Sequence, residues 1–191
     1  MLKVGLTGSI AVGKSFVLGV LAELGCHVLD ADATAREVVA PGTPGMQAVV
    51  DAFGDDILNS DRTLDRAKLG AIVFADETKR LQLNSILHPF IISADQHGIA
   101  VVDAALMIES GGYGRFDKLV VVHCRPEVQL ERLMARDSIS REDAERKIAA
   151  QMSQEEKKSH ADFLIDTSEG FDSTRQQAEK VFQKLSALRR M

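Results

Sequence analysis

The sequence predicts an α/β fold: a five-stranded parallel sheet flanked by helices. Two observations carry this reading. The first thirty residues spell strand, loop, helix, strand, a βαβ unit that implies parallel strands joined by a right-handed crossover. Further short apolar runs then recur along the chain, separated by segments of helical periodicity.

Residues 2–7 (Leu-Lys-Val-Gly-Leu-Thr) read as a buried strand and run into glycine-rich punctuation from Gly8 to Gly13. Residues 15–24 place Phe16, Val17, Val20, Leu21 and Leu24 at helical spacing, and Gly25 stands where a helix would end. His27-Val28-Leu29-Asp30 is the second strand. Residues 31–88 are mostly helical, interrupted by Pro41-Gly42 and by Asn59-Ser60-Asp61, which is long for a crossover and implies a helical excursion. Residues 99–103 form a third strand ending in Asp103, and residues 118–123 a fourth. Pro126 opens a helix reaching Arg136. Residues 140–158 are charged and helical with a break near Met152-Ser153. Residues 163–166 form the fifth strand. An amphipathic helix over 173–188 closes the chain, with Ala178, Val181, Phe182 and Leu185 on one face.

At 191 residues and 20.8 kDa the chain is expected to form one domain, burying roughly 70% of its unfolded surface without help from disulfides or a structural metal. A 45% hydrophobic and 27% charged composition excludes collagen-like, low-complexity and disordered chains. The net charge of −5 argues against nucleic acid as the main partner, while leaving room for a local basic pocket. Cys26 and Cys124, far apart, build neither a disulfide scaffold nor a zinc site. With no leader pattern and no apolar run near ~18 residues, the expectation is a cytoplasmic protein off the membrane, monomeric or weakly self-associating.

The chemistry is concentrated in Gly8-Ser9-Ile10-Ala11-Val12-Gly13-Lys14-Ser15, which matches G-x-x-x-x-G-K-[ST] without a gap. Glycines let backbone N–H groups close around phosphate oxygens, and the following helix aims its N-terminus at the anion. Lys14 supplies a point charge for the β- and γ-phosphates and Ser15 a hydroxyl for Mg²⁺. The implied ligands are ATP and Mg²⁺ on a P-loop nucleotide-binding fold. Asp103, closing an apolar strand, is placed to act on the metal shell. Asp30 and Asp32 follow the second strand; either could accept a proton from a substrate hydroxyl, and either could cap a helix. Arg132 and Arg136 share one helical face and could reach transferring phosphates. His88 precedes Pro89, which suggests a helix boundary there. A guanine-reading Asn-Lys-x-Asp and a Leu-Ser-Gly-Gly signature are both absent, so a small-molecule kinase fits better than a regulatory GTPase or a transporter ATPase. Another P-loop kinase of a nucleotide or small metabolite, or a non-catalytic ATP-binding module, would be the alternatives.

Beyond the P-loop, Asp30-Ala31-Asp32 with Arg36, Leu64-Asp65-Arg66, Leu87-His88-Pro89, Gln129 with Arg132 and Arg136, Gln151, Ala161-Asp162 and Ile165-Asp166 follow at intervals almost end to end. This pattern resembles the dephospho-CoA kinase family. The resemblance implies a nucleoside-kinase-like fold and transfer of the ATP γ-phosphoryl group to the ribose 3′-hydroxyl of dephospho-CoA. It implies Asp32 as general base with Asp30 as its structural partner. It implies Arg36, His88 and Glu109 on the acceptor side, Lys14 and Arg136 in catalysis, and Arg132 beside the nucleotide. Residues 40–97 become a helical acceptor-side (CoA) region and residues 132–151 a lid. The chain departs from the family's usual Pro-Leu-Leu-Phe-Glu with Ala105-Leu106-Met107-Ile108-Glu109, and from Ile-Asp-Asn with Ile165-Asp166-Thr167.

Overall fold

A computed structural model of the chain describes residues 2–30, 37–92 and 98–189. Its strands are β1 (Leu2–Thr7), β2 (His27–Asp30), β3 (Ile99–Asp103), β4 (Lys118–His123) and β5 (Phe163–Asp166). They form one sheet in the order β2-β3-β1-β4-β5, and the ladders joining β3, β1, β4 and β5 are parallel. β1 therefore runs in the interior of the sheet, with Leu6 opposite both Asp103 and Val120.

The helices are α1 (Lys14–Glu23), α2 (Pro44–Phe53), α3 (Arg66–Ala75), α4 (Glu77–Ile92), α5 (Pro126–Asp137), α6 (Arg141–Ala149), α7 (Gln154–Ser159) and α8 (Gly170–Leu188). The chain divides into two compact units, residues 1–29 with 97–191, and residues 30–96. In the first, the alternation along each strand sorts residues between two faces. Val4, Leu6, Val101, Val120, Val122 and Ile165 pack with Val17, Val20 and Leu21 of α1 and with Ala178, Val181 and Leu185 of α8. On the other face Leu119 and Val121 pack with Met107 and Ile108. Because both faces are covered, the β4 run Leu-Val-Val-Val is apolar throughout. Each fully buried Val, Leu or Ile of this kind stabilises the fold by about 1.5–3 kcal/mol.

The second unit has its own core of Val39, Met46, Val49, Ile57 and Leu69. Its helices start where short polar side chains take up open amides: Thr43 accepts from Met46 N–H ahead of Pro44, and Asp65 accepts from Ala67 and Lys68. The Asn59-Ser60-Asp61 interruption is a tight turn between a Leu58–Leu64 bridge, closed by Asn59 N–H donating to Thr63 O at 2.8 Å.

Two boundaries differ from expectation. α4 continues to Ile92, past Pro89, so the backbone stays helical for three residues after the proline that the sequence marks as a boundary. α8 starts at Gly170 rather than Ser173; its first turn lies ahead of the face made by Thr174, Ala178, Val181 and Leu185, so the apolar pattern is silent there. Among the described residues no helix is long and apolar enough to cross a membrane.

Candidate active site at the glycine-rich loop

The turn from β1 into α1 is shaped by two glycines for different reasons. At Gly8 an added Cβ would lie 2.4 Å from the carbonyl oxygen of Val122, so any side chain would push the loop off β4. Gly13 caps α1 with φ 86° and ψ 21°, a left-handed conformation that opens the loop around the helix N-terminus. No side chain caps α1, so its first amides are left for an anion, where the helix dipole favours negative charge.

A cleft of about 460 Å³ lies over this loop. It is lined by every residue from Gly8 to Ser15 together with Ala105, Arg132, Arg136 and Gln151. The nucleotide-side residues read from the sequence thus converge: Lys14, Ser15, Arg132 and Arg136 share one cleft although the two pairs lie more than a hundred residues apart in the chain. Lys14 Nζ stands 3.1 Å from Asp103 Oδ1, with both side chains just over four-fifths buried. Parallel pairing explains this meeting, since the register of β1 on β3 brings Asp103 opposite Leu6, at the strand end that leads into the loop.

The loop is held from outside by side chains distant in sequence. Thr167 Oγ1 donates to Val12 O at 2.8 Å and accepts from Arg132 Nη1 at 2.8 Å, while Arg132 Nη2 donates to Thr167 O at 2.8 Å. Arg132 is therefore a fork on the residue after β5 as well as a cation at the cleft. Ile10 is gripped twice: its N–H donates to Gln151 Oε1 at 2.8 Å, and its carbonyl accepts from Gln129 Nε2 at 2.8 Å. Ile10 lines the cleft, but its amide is already taken up by Gln151. Gln129 and Gln151 enter the sequence reading only as part of the family pattern, and Thr167 only as a departure from it; none of the three is given a contact there, because no local spacing marks a partner more than a hundred residues away.

Arg136 projects from the last turn of α5, where Asp137 Oδ1 accepts from its Nε at 2.8 Å. Asp137 also accepts from Lys147 Nζ of α6 at 2.8 Å. The hydrogen bond from Arg136, reinforced by that from Lys147, lowers the Asp137 carboxyl to about 2. This carboxylate orients Arg136 and ties α5 to α6.

Glu109, expected on the acceptor side, is not among the residues lining the cleft. Its Oε1 lies 2.8 Å from Lys157 Nζ, and Lys157, fully buried, also donates to Ala105 O at 2.9 Å. The carboxylate secures the turn after β3. Asp30 ends β2 and His88 lies on α4, both in the second unit; Asp32 and Arg36 lie outside the described residues.

Among the described residues no group of three or more His, Cys, Asp or Glu is placed to hold a metal. A Mg²⁺ ion carried with phosphates needs less, because phosphate and water oxygens complete its shell. The Ser15 hydroxyl in the cleft and the Asp103 carboxylate beside Lys14 are the hard-oxygen donors such an ion takes.

Comparison with known proteins accounts for this arrangement. The sequence model of the dephospho-CoA kinase family matches residues 2–173. The dephospho-CoA kinase of Streptomyces avermitilis is 46% identical over 174 residues, covering 87% of this chain and 85% of that protein. That of Carboxydothermus hydrogenoformans is 44% identical over 191 residues, covering 95% and 93%. The solved dephospho-CoA kinase of Campylobacter jejuni superposes with a TM-score of 0.58 at 29% identity, over 97% of each chain. A match that spans both units, on a fold whose glycine-rich cleft gathers Lys14, Ser15 and two arginines, leaves one assignment: the chain belongs to the dephospho-CoA kinase family.

Proposed function

We propose a division of labour among the residues of this chain in its reaction, the ATP-dependent phosphorylation of dephospho-CoA. The reaction moves the γ-phosphoryl group to the ribose 3′-hydroxyl and yields CoA and ADP. The loop amides from Ala11 to Ser15 and the Lys14 ammonium hold the triphosphate. Asp32 accepts the proton of the 3′-hydroxyl as its oxygen forms the new bond to phosphorus. The bond from phosphorus to the bridging oxygen of ADP breaks, and the negative charge that grows there is met by Lys14, Arg136 and Arg132. Ser15 and Asp103 would hold Mg²⁺, which when bound neutralises charge on the β- and γ-oxygens. Arg36 and His88 orient the acceptor, within or beside the helical region 40–97. Residues 132–151 close over the cleft, because water admitted beside the γ-phosphate would hydrolyse ATP.

What carries this reading is the gathering of three cationic side chains around an uncapped helix N-terminus in one cleft, in a chain of this family. The test is mass analysis of the product formed from Mg-ATP and dephospho-CoA, with Asp32→Asn run beside the unaltered chain. Loss of a general base lowers turnover by about 10²–10⁴-fold, with KM for ATP nearly unchanged. Turnover within a few-fold of normal removes Asp32 from the role. Full activity in the presence of excess chelator removes Ser15 and Asp103 from the metal role.

A further inference from the structure

The double grip on Ile10 belongs to a longer chain of carboxamides. Gln129, on α5, is only 2% exposed. Its Nε2 donates to Ile10 O, and its Oε1 accepts from Gln154 Nε2 of α7 at 2.7 Å. Gln154 Oε1 in turn accepts from the backbone N–H of Cys124, just beyond β4, at 2.9 Å. The relay ends on a backbone donor at Cys124 and a backbone acceptor at Ile10, so the orientation of both amides is dictated by the backbone. On the other side of Ile10, Gln151 lies in the break between α6 and α7. It is held there by its own N–H donating to Ile148 O at 3.2 Å, and Ser9 Oγ reaches Met152 O at 3.4 Å beside it.

We propose that Gln129 and Gln151 are positioning residues of the phosphoryl-donor site, which clamp Ile10 so that the loop amides following it are set for the triphosphate before ATP arrives. Pre-setting matters because a loop ordered in advance loses less conformational entropy on binding. The same clamp ties the loop to α5, the helix that carries Arg132 and Arg136, so the amides and the arginines are held in one frame. Gln129, buried behind Ile10, acts on the nucleotide only through the loop; Gln151 lines the cleft itself. This difference separates positioning from direct contact. The inference rests on the cleft being the ATP site, as proposed above.

Two measurements test it. In the ligand-free chain, amide hydrogen exchange at Ile10 should be slow, and it should become fast in Gln151→Ala. This arm involves no ATP, so it can fail or succeed independently of the nucleotide assignment; fast exchange in the unaltered chain overturns the clamp. In steady-state kinetics, Gln129→Met and Gln151→Ala should each raise KM for ATP by about threefold to tenfold, the loss expected for one hydrogen bond, with KM for dephospho-CoA within twofold. If Gln151→Ala raises it and Gln129→Met does not, Gln151 touches the nucleotide directly and the positioning role is refuted. If neither moves it, the clamp has no bearing on ATP. Should Gln129→Met fail to fold, Gln154→Met releases the same amide from one step further back and is held to the same outcomes.

Discussion

Lys157→Met keeps a long, unbranched side chain but removes an ammonium that is fully buried. In the native chain that ammonium faces Glu109 Oε1 at 2.8 Å and donates to Ala105 O at 2.9 Å. Deleting one partner of a buried ion pair costs about 3–5 kcal/mol, because the other charge is left without compensation. The Glu109 side chain keeps 22% of its exposure, but both of its carboxylate oxygens are buried, so the stranded charge is poorly hydrated. Ala105 O, by contrast, still accepts from Thr7 Oγ1 at 3.2 Å. The expected loss is about 3–5 kcal/mol, or roughly 6–20 °C in Tm for a chain of this length. The chain has one tyrosine and no tryptophan, so tyrosine emission during urea unfolding reports on one place. That place is apt: Tyr113 follows the Glu109 turn, and its ring lies 5.0 Å from the ring of His160, just beyond the helix that carries Lys157. The double variant Lys157→Met with Glu109→Met, which replaces the pair by apolar groups, should recover most of the loss. A loss below about 1 kcal/mol in the single variant, or a double variant no more stable than the single, would refute the buried-pair argument.

Thr167→Val preserves shape but removes the hydroxyl that donates to Val12 O and accepts from Arg132. It should cost about 1–3 kcal/mol through the orphaned partners and raise KM for ATP, read from denaturation and initial rates; unaltered values in both would dismiss the bridge. His123, at the end of β4, has its pKa lowered chiefly by desolvation, with Asp166 opposing. The unfolded chain therefore binds this proton more readily than the folded one, and stability falls as pH drops below the ordinary histidine value of 6.5. Urea midpoints followed downward from neutrality should decline less in His123→Asn than in the unaltered chain, and equal declines would exclude His123 as a contributor.

What the sequence by itself determined is whatever consecutive residues encode. The eight-residue phosphate loop, the βαβ start and the apolar runs of β3, β4 and β5 depend on local spacing and backbone freedom, and they appear where the pattern places them. The break near Met152 was legible for the same reason; the structure shows that it carries Gln151 to Ile10. Tertiary structure alone decided which distant polar groups meet. Ile10 lies 119 residues from Gln129 and 141 from Gln151, and Lys157 lies 52 from the Ala105 carbonyl that it holds. No periodicity marks such partners, because their pairing is imposed by the register of a parallel sheet and by the packing of α5 and α7 beside it, where a buried polar group must find a match from whatever the fold brings near. Glu109 shows the consequence: the resemblance places it on the acceptor side, and only the fold reveals that Lys157, 48 residues away, pairs with it.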